Sequence, residues 1–247
     1  MNIKNHNKTN KEYINFRSIS DQWWVENGDF SILHKINPTR IKYIISQLLN
    51  KNKNNKHSKF PLKNIKIIDI GCGGGLVCEP LARLGANVTG IDFVKENLEV
   101  AKKHAFGERL KIKYKLSDIN KLNIRDKYDV ILLLEVIEHV SDWKKIIKKM
   151  RKILKTNGII IFSSINRNLI SGLLTIFIAE NILKWIPKGT HNYEKLVKPE
   201  ELCNELIINN YKILNLSGMK YYPLTKKWGV SKKSLKINYF CTATKIN

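Results

Sequence analysis

Residues 65–75, IKIIDIGCGGG, decide how the rest of the chain is read. A short apolar run ending in glycines reads as a strand buried on both faces. The glycines at its end let the backbone turn sharply and approach a ligand closely. In an open α/β sheet, the carboxyl edge of the strands is where ligands bind. A glycine-rich turn taken alone is also compatible with nothing more than a tight turn, so the flanking sequence has to carry the argument.

Downstream, strand-like and helix-like stretches alternate. NVTGID (87–92) reads as a second strand and VKENLEVAKKHA (94–105) as a helix. LKIKYKLSD (110–118) and YDVILLL (128–134) read as the third and fourth strands. In SDWKKIIKKMRKILK (141–155), Trp143, Ile146, Ile147, Met150, Ile153 and Leu154 form one helical stripe, with Ser141 or Asp142 as cap and Asn157-Gly158 as the stop. GIIIFSSI (158–165) is a fifth strand, and KPEELCNELIINN (198–210) a helix. YKILNLSG and INYFCTATK have the period-two look of a terminal strand pair. This alternation predicts a mostly parallel sheet covered on both faces. Upstream, residues 1–50 read as helical, with Ile41, Ile44, Ile45, Leu48 and Leu49 at helix spacing after Pro38. Residues 51–64 read as a solvated Lys/Asn loop.

Composition sets the bounds. The 247 residues, 43% of them hydrophobic, suffice for one large domain with a core and exclude global disorder. The net charge of +23 asks for an anionic partner, nucleic acid or an acidic membrane. Tracts such as NKNKNNKHSK show lysine and asparagine spread everywhere, and we read most of the charge as composition bias. Cys72, Cys78, Cys203 and Cys241 form no CxxC pair and read as reduced intracellular thiols. The polar N-terminus has no secretory h-region. No apolar run reaches the ~18 residues of a span; NLISGLLTIFIAENILKWI is interrupted by Glu180, Asn181 and Lys184.

Two acids sharpen the glycine loop. Asp92 ends the second strand, 17 residues past Gly75, where a carboxylate can accept from both hydroxyls of a ribose. A dinucleotide fingerprint needs a third glycine where this chain has Leu76, which argues against an NAD-dependent oxidoreductase. Asp69, ahead of Gly71, suits a cofactor bearing positive charge. D-x-G-x-G-x-G followed by an acid is the S-adenosylmethionine pattern, with Gly71 and Gly73 approaching the cofactor. Asp118, after the third strand, can receive an adenine amino group or be a plain surface aspartate.

The segment LLLEVIEHV (132–140) places Glu135, Glu138 and His139 at i, i+3 and i+4, one face of a single helical turn. Three readings stay open: a divalent metal site, a His139 general base oriented by glutamates, and the acidic first turn of a surface helix.

The sequence resembles the class I methyltransferases, and more narrowly the ubiquinone-biosynthesis O-methyltransferases, over nearly its whole length. The stretches that carry the resemblance are QWWVENGDFSILHKINPTRIKYI (22–44), IDIGCGGG, LEVIEHV, INRN and IPKGTHNYEKLVKPEEL (186–202). The resemblance implies a Rossmann-like fold, with a mostly parallel seven-stranded sheet and an antiparallel C-terminal strand. It implies a helical cover over 1–50, a loop over 51–64, and a methyltransferase core over 65–247 with a membrane-facing insertion at about 168–198. It implies methylation of ring hydroxyls on polyprenylated phenols or catechols at both O-methylation steps; methylation of another small molecule or of RNA is the alternative. Carried over residue by residue, it gives cofactor contacts to Arg40, Gly71, Asp92 and Leu134, and Mg²⁺ ligation to Glu135, Glu138 and His139. Arg40 suits the carboxylate at the amino-acid end of the cofactor. The partners implied are the prenylated substrate, an anionic membrane surface and other ubiquinone-biosynthesis proteins, with no nucleic acid, because aromatics do not cluster among the basic residues. The expected location is cytoplasmic and peripheral to the inner membrane, on the matrix side in a eukaryote. The apolar segment 168–188, with Trp185 between Lys184 and Lys188, reads as the membrane contact.

Overall fold

The strand at Lys66–Ile70 (β1) lies inside the sheet, paired along both edges, and Ile67, Ile68 and Ile70 bury side chains on both of its faces. The computed structural model describes residues 13–51, 58–168 and 195–246. The other strands are Asn87–Asp92 (β2), Lys113–Leu116 (β3), Tyr128–Leu134 (β4), Leu154–Ile165 (β5), Tyr211–Tyr222 (β6), Lys227–Ser231 (β7) and Asn238–Lys245 (β8). They form one sheet in the order β3-β2-β1-β4-β5-β8-β6-β7. β1 to β5 pair in parallel, and β8 runs antiparallel between β5 and β6.

Alternate strand residues feed two cores. Ile68, Ile131, Leu133, Ile160 and Phe162 face the helices Trp143–Ile153 (α4) and Pro199–Ile208 (α5). Ile67, Val88, Val130, Leu132 and Ile161 face Ser31–Lys51 (α1) and Cys78–Arg83 (α2). Lys95–Gly107 (α3) adds Leu98 to the second core. Each fully buried isoleucine contributes roughly 2 kcal/mol of apolar transfer, so this double burial is what selects a parallel sheet.

The expected class I fold is present, with particular differences. The sheet has eight strands rather than seven among the described residues; the extra one, β7, is a lysine-flanked edge strand whose sequence lacks a clear apolar alternation. The first long helix starts at Ser31 and carries Pro38 inside it. Proline removes one helical donor there, but side chains on either side pin the helix: Asn37 donates to the Leu76 carbonyl (2.7 Å) and Thr39 to the Trp228 carbonyl (2.9 Å). Asp142 caps α4, accepting from the Lys145 amide at 3.2 Å. Asn157, expected to stop that helix, instead bends β5 at φ 61°, where the pairing jumps from Tyr128↔Leu154 to Val130↔Ile159.

The chain winds one way from β1 to β3 and returns to place β4 on the other side of β1. The crevice at this reversal, above β1 and β4, is where such sheets hold ligands.

Candidate active site

The loop after β1 turns through three left-handed glycines, Gly71, Gly73 and Gly75, at φ 75°, 52° and 89°. A Cβ on Gly71 would stand 2.6 Å from Val136 Cγ2, so only glycine lets the loops after β1 and β4 meet. Asp92, at the end of β2, is buried and locks this loop. Its Oδ2 accepts from the Gly73 amide at 2.9 Å and its Oδ1 from the Val94 amide at 2.8 Å. Burial raises its carboxyl above the usual range, and these amide bonds oppose the rise.

Asp69 lies beneath the loop, accepting from the Cys78 thiol at 3.3 Å. Burial pushes it up to about 6, against the pull of that thiol and of the Arg40 charge. Cys72 and Cys78 are free and buried, packing within the loop and the start of α2. Asp118 caps the 3-10 turn Ile119–Lys121, accepting from both the amide (2.8 Å) and the side chain (3.0 Å) of Asn120. A local structural job therefore occupies one of its oxygens. Leu134 ends β4, buried, beside the same crevice.

Glu135, Glu138 and His139 do not share one helical face. β4 ends at Leu134, and Glu135 takes a left-handed φ of 56°, a conformation that costs a non-glycine residue about 1 kcal/mol or more. A 3-10 turn over Ile137–His139 follows. The kink aims Glu135 inward, where Oε1 accepts from Asn238 Nδ2 (2.8 Å), Ser163 Oγ (2.9 Å) and Arg40 Nη2 (3.2 Å). Glu138 is buried with Oε2 unpartnered; burial first, and then the Glu135 charge, hold its carboxyl well above the ordinary carboxylate range. His139 is exposed, edge-on to Phe16 with ring centroids 6.1 Å apart. Among the described residues, no group of three or more His, Cys, Asp and Glu side chains is arranged to hold a metal ion.

The tertiary structure adds residues that motif reading passed over. Trp23 lies on the glycine loop: a Cβ on Gly73 or Gly74 would come within 2.3 or 2.4 Å of its ring. Its indole stacks on Phe30 (3.7 Å) and donates to Asn97 Oδ1 (2.8 Å), while Trp24 donates to the Gly74 carbonyl (3.0 Å). Phe16 reaches from Phe93, just past Asp92, to His139. Residues 13–24 thus cross the carboxyl edge above β2 and β4. The doubled tryptophan was the available signal, though nothing in its spacing reveals its contact. Ser163 and Asn238 came with no signal at all, being ordinary strand residues.

The residues present fit S-adenosylmethionine. Asp69 and Asp92 converge below the glycine loop, and Arg40 Nε is buried without a partner. Comparison with known proteins agrees. The methyltransferase-domain family matches residues 68–162. A ubiquinone biosynthesis O-methyltransferase of Pelagibacter ubique is 46% identical over 229 residues, covering 93% of this chain and 95% of the relative. One from Rickettsia akari is 40% identical, covering 95% and 91%. The chain belongs to the ubiquinone biosynthesis O-methyltransferase family. It is an S-adenosylmethionine-dependent O-methyltransferase.

Solved structures bear out the fold of this O-methyltransferase. A magnesium protoporphyrin IX methyltransferase of Synechocystis with bound S-adenosylhomocysteine matches at TM-score 0.64 and 19% identity, over 92% of this chain and 94% of that one. A possible histamine N-methyltransferase of Thermotoga maritima matches at 0.67 and 16%, over 95% and 99%. No helix of the described residues is long and apolar enough to cross a membrane.

Proposed function

We propose that this O-methyltransferase methylates ring hydroxyls of polyprenylated phenol and catechol intermediates at both O-methylation steps of ubiquinone assembly. The observation that carries the site assignment is the strained turn at Glu135, which joins Arg40 on the cofactor side to Glu138 and His139 at the crevice mouth.

S-adenosylmethionine, when bound, supplies an electrophilic methyl on a sulfonium centre. Arg40 is assigned to its carboxylate, Asp92 to the ribose hydroxyls, Asp69 to the positive amino-acid end, and Gly71, Gly73 and Leu134 to close backbone and apolar contact. Asp118 keeps an oxygen for the adenine amino group. The N-terminal segment, residues 1–50, acts as a cover that keeps water from the reacting atoms.

A phenol of pKa ~10 is ionised at pH 7 in only about one molecule in a thousand. The His139 imidazole, exposed at the mouth, takes the hydroxyl proton as the oxygen attacks the methyl. Alignment of the two substrates supplies most of the remaining acceleration.

The Mg²⁺ that the resemblance implies fits only in part. The unpartnered Glu138 oxygen beside Glu135 suits a cation, but three donors already occupy Glu135 Oε1 and the trio does not converge. The chemistry above therefore rests on the protein's own groups.

The prenyl tail keeps the substrate in a bilayer, at ~0.8 kcal/mol per buried CH₂, so the enzyme works as a peripheral protein at an anionic membrane surface. In a eukaryote this is the matrix side of the inner membrane. Other ubiquinone-biosynthesis proteins are natural neighbours there. The apolar segment 168–188, proposed from the sequence as anchor, lies outside the described residues except for Asn168. Purified enzyme incubated with labelled S-adenosylmethionine and a short-tailed catechol should yield the monomethylated ring by mass spectrometry. Label appearing in RNA offered alongside, with none in the catechol, would overturn the reading.

A further inference from the structure

We propose that the β6–β7 hairpin is a built-in contact for an anionic bilayer, placed on the edge of the sheet where the active site opens. The inference rests on the reading that the substrate carries a polyprenyl tail.

The geometry comes from the strand register. β6 runs parallel to β5, so its end lies at the carboxyl edge, with Glu135 and the glycine loop. Its pairing with β8 ends at Met219↔Asn238, and Asn238 is the residue that bonds Glu135. β6 then continues with β7 alone to Tyr222↔Lys227. At ~3.3 Å per residue, Lys220 to Tyr222 carry the turn about 10 Å beyond the active-site rim.

What the hairpin presents there is unusual for a water-facing tip. Leu224 is 101% exposed, and Tyr221 and Tyr222 are each 41% exposed. The surrounding stretch Met219–Lys236 holds six lysines and no carboxylate, with Lys220, Lys226, Lys227, Lys232 and Lys233 all exposed. An apolar tip with tyrosines at its base and lysines around it matches the layers of a bilayer surface: acyl boundary, headgroup, anionic phosphate. Each lysine brought near an anionic surface is worth roughly fivefold in affinity. The tip is held firmly, because Trp228 packs against Tyr221 (5.3 Å between centroids) and its carbonyl accepts from Thr39 on α1. The same helix carries Arg40, so a hairpin seated on lipid would fix the crevice mouth close to the surface.

The test is co-sedimentation of the full chain with vesicles of equal parts phosphatidylcholine and phosphatidylglycerol, with phosphatidylcholine vesicles and polyuridylate as comparison ligands. The parent should bind the anionic vesicles, and more weakly at high salt. Y222S/L224E, and separately K226Q/K227Q, should each bind at least tenfold more weakly with unchanged S-adenosylmethionine affinity. Methylation of a tail-less soluble catechol should be the same in all three proteins, while methylation of a long-tailed substrate in vesicles should fall in the variants. Equal vesicle binding by parent and variants overturns the hairpin assignment and leaves the methylation reading standing. Absent methylation with hairpin-dependent vesicle binding does the reverse. Binding to polyuridylate without binding to vesicles makes the surface a nucleic-acid contact and overturns the inference.

Discussion

Arg40 Nη2 stands 3.2 Å from Glu135 Oε1, and both side chains are largely withdrawn from water. This pair ties the N-terminal helix to the strained turn after β4. Removing one partner of a buried pair leaves an unpaired charge and costs ~3–5 kcal/mol; with Glu135 partly accessible, the lower end applies. Arg40→Met should therefore lower the urea midpoint and weaken S-adenosylmethionine at least tenfold by calorimetry. A double-mutant cycle with Glu135→Gln should recover part of the stability loss. Strictly additive losses would mean that the pair is not coupled.

Asp92 should matter twice over. Asp92→Ala leaves the Gly73 and Val94 amides without their acceptor and removes the group assigned to the ribose. Each charge-assisted bond lost costs ~1.5–3 kcal/mol. Titration calorimetry on the folded variant should show cofactor affinity down a hundredfold or more; unchanged affinity would remove Asp92 from the site.

The pH dependence of cofactor binding should trace Asp69. Burial raises this carboxyl to about 6 in the cofactor-free protein, and a cationic ligand favours its ionised form. Below pH 6, binding must expel a proton, so affinity should weaken as pH falls and level off above pH 6. Asp69→Asn should flatten the curve. A curve of the same shape in that variant would assign the proton elsewhere.

Gly74 tests the tryptophan cover by sterics alone, since its φ is not left-handed. A Cβ there meets Trp23 Cγ at 2.4 Å and forces the indole to move. Gly74→Ala should cost ~1–3 kcal/mol of stability as overpacking does, with a red-shifted tryptophan emission. An unshifted spectrum would place Trp23 off the loop.

The choice between base and metal is open to a direct test. With His139 as base, His139→Ala should lower kcat by ~10²–10⁴-fold while cofactor affinity holds, and activity should persist in chelator. Activity that collapses in chelator and returns with Mg²⁺ would place a cation on Glu135, Glu138 and His139 instead.

The order of elements was legible in the chain because local pattern carries it. Doubly buried strands read as continuous apolar runs, α4 reads as a single stripe, and the glycine loop declares itself because no other residue takes its φ values so cheaply. Asp92 and Asp69 were legible for a related reason: their places at strand ends follow from counting along a regular fold. β7 was hidden, since an edge strand pairs on one side only and is free to be polar. Pro38 sits inside the helix because its missing hydrogen bond is offset by contacts far away in the sequence.

What only the tertiary structure decided are relations between residues distant along the chain. Spacing placed Glu135, Glu138 and His139 on one helical turn, but the end of β4 and a left-handed Glu135 turned the first acid inward, onto Arg40, Ser163 and Asn238. Trp23 became part of the glycine loop only by folding back onto it. Side-chain identity and periodicity determine which groups a segment offers. Which groups meet depends on sheet order and on the few backbone torsions where the strands stop, and those are set by the whole core at once.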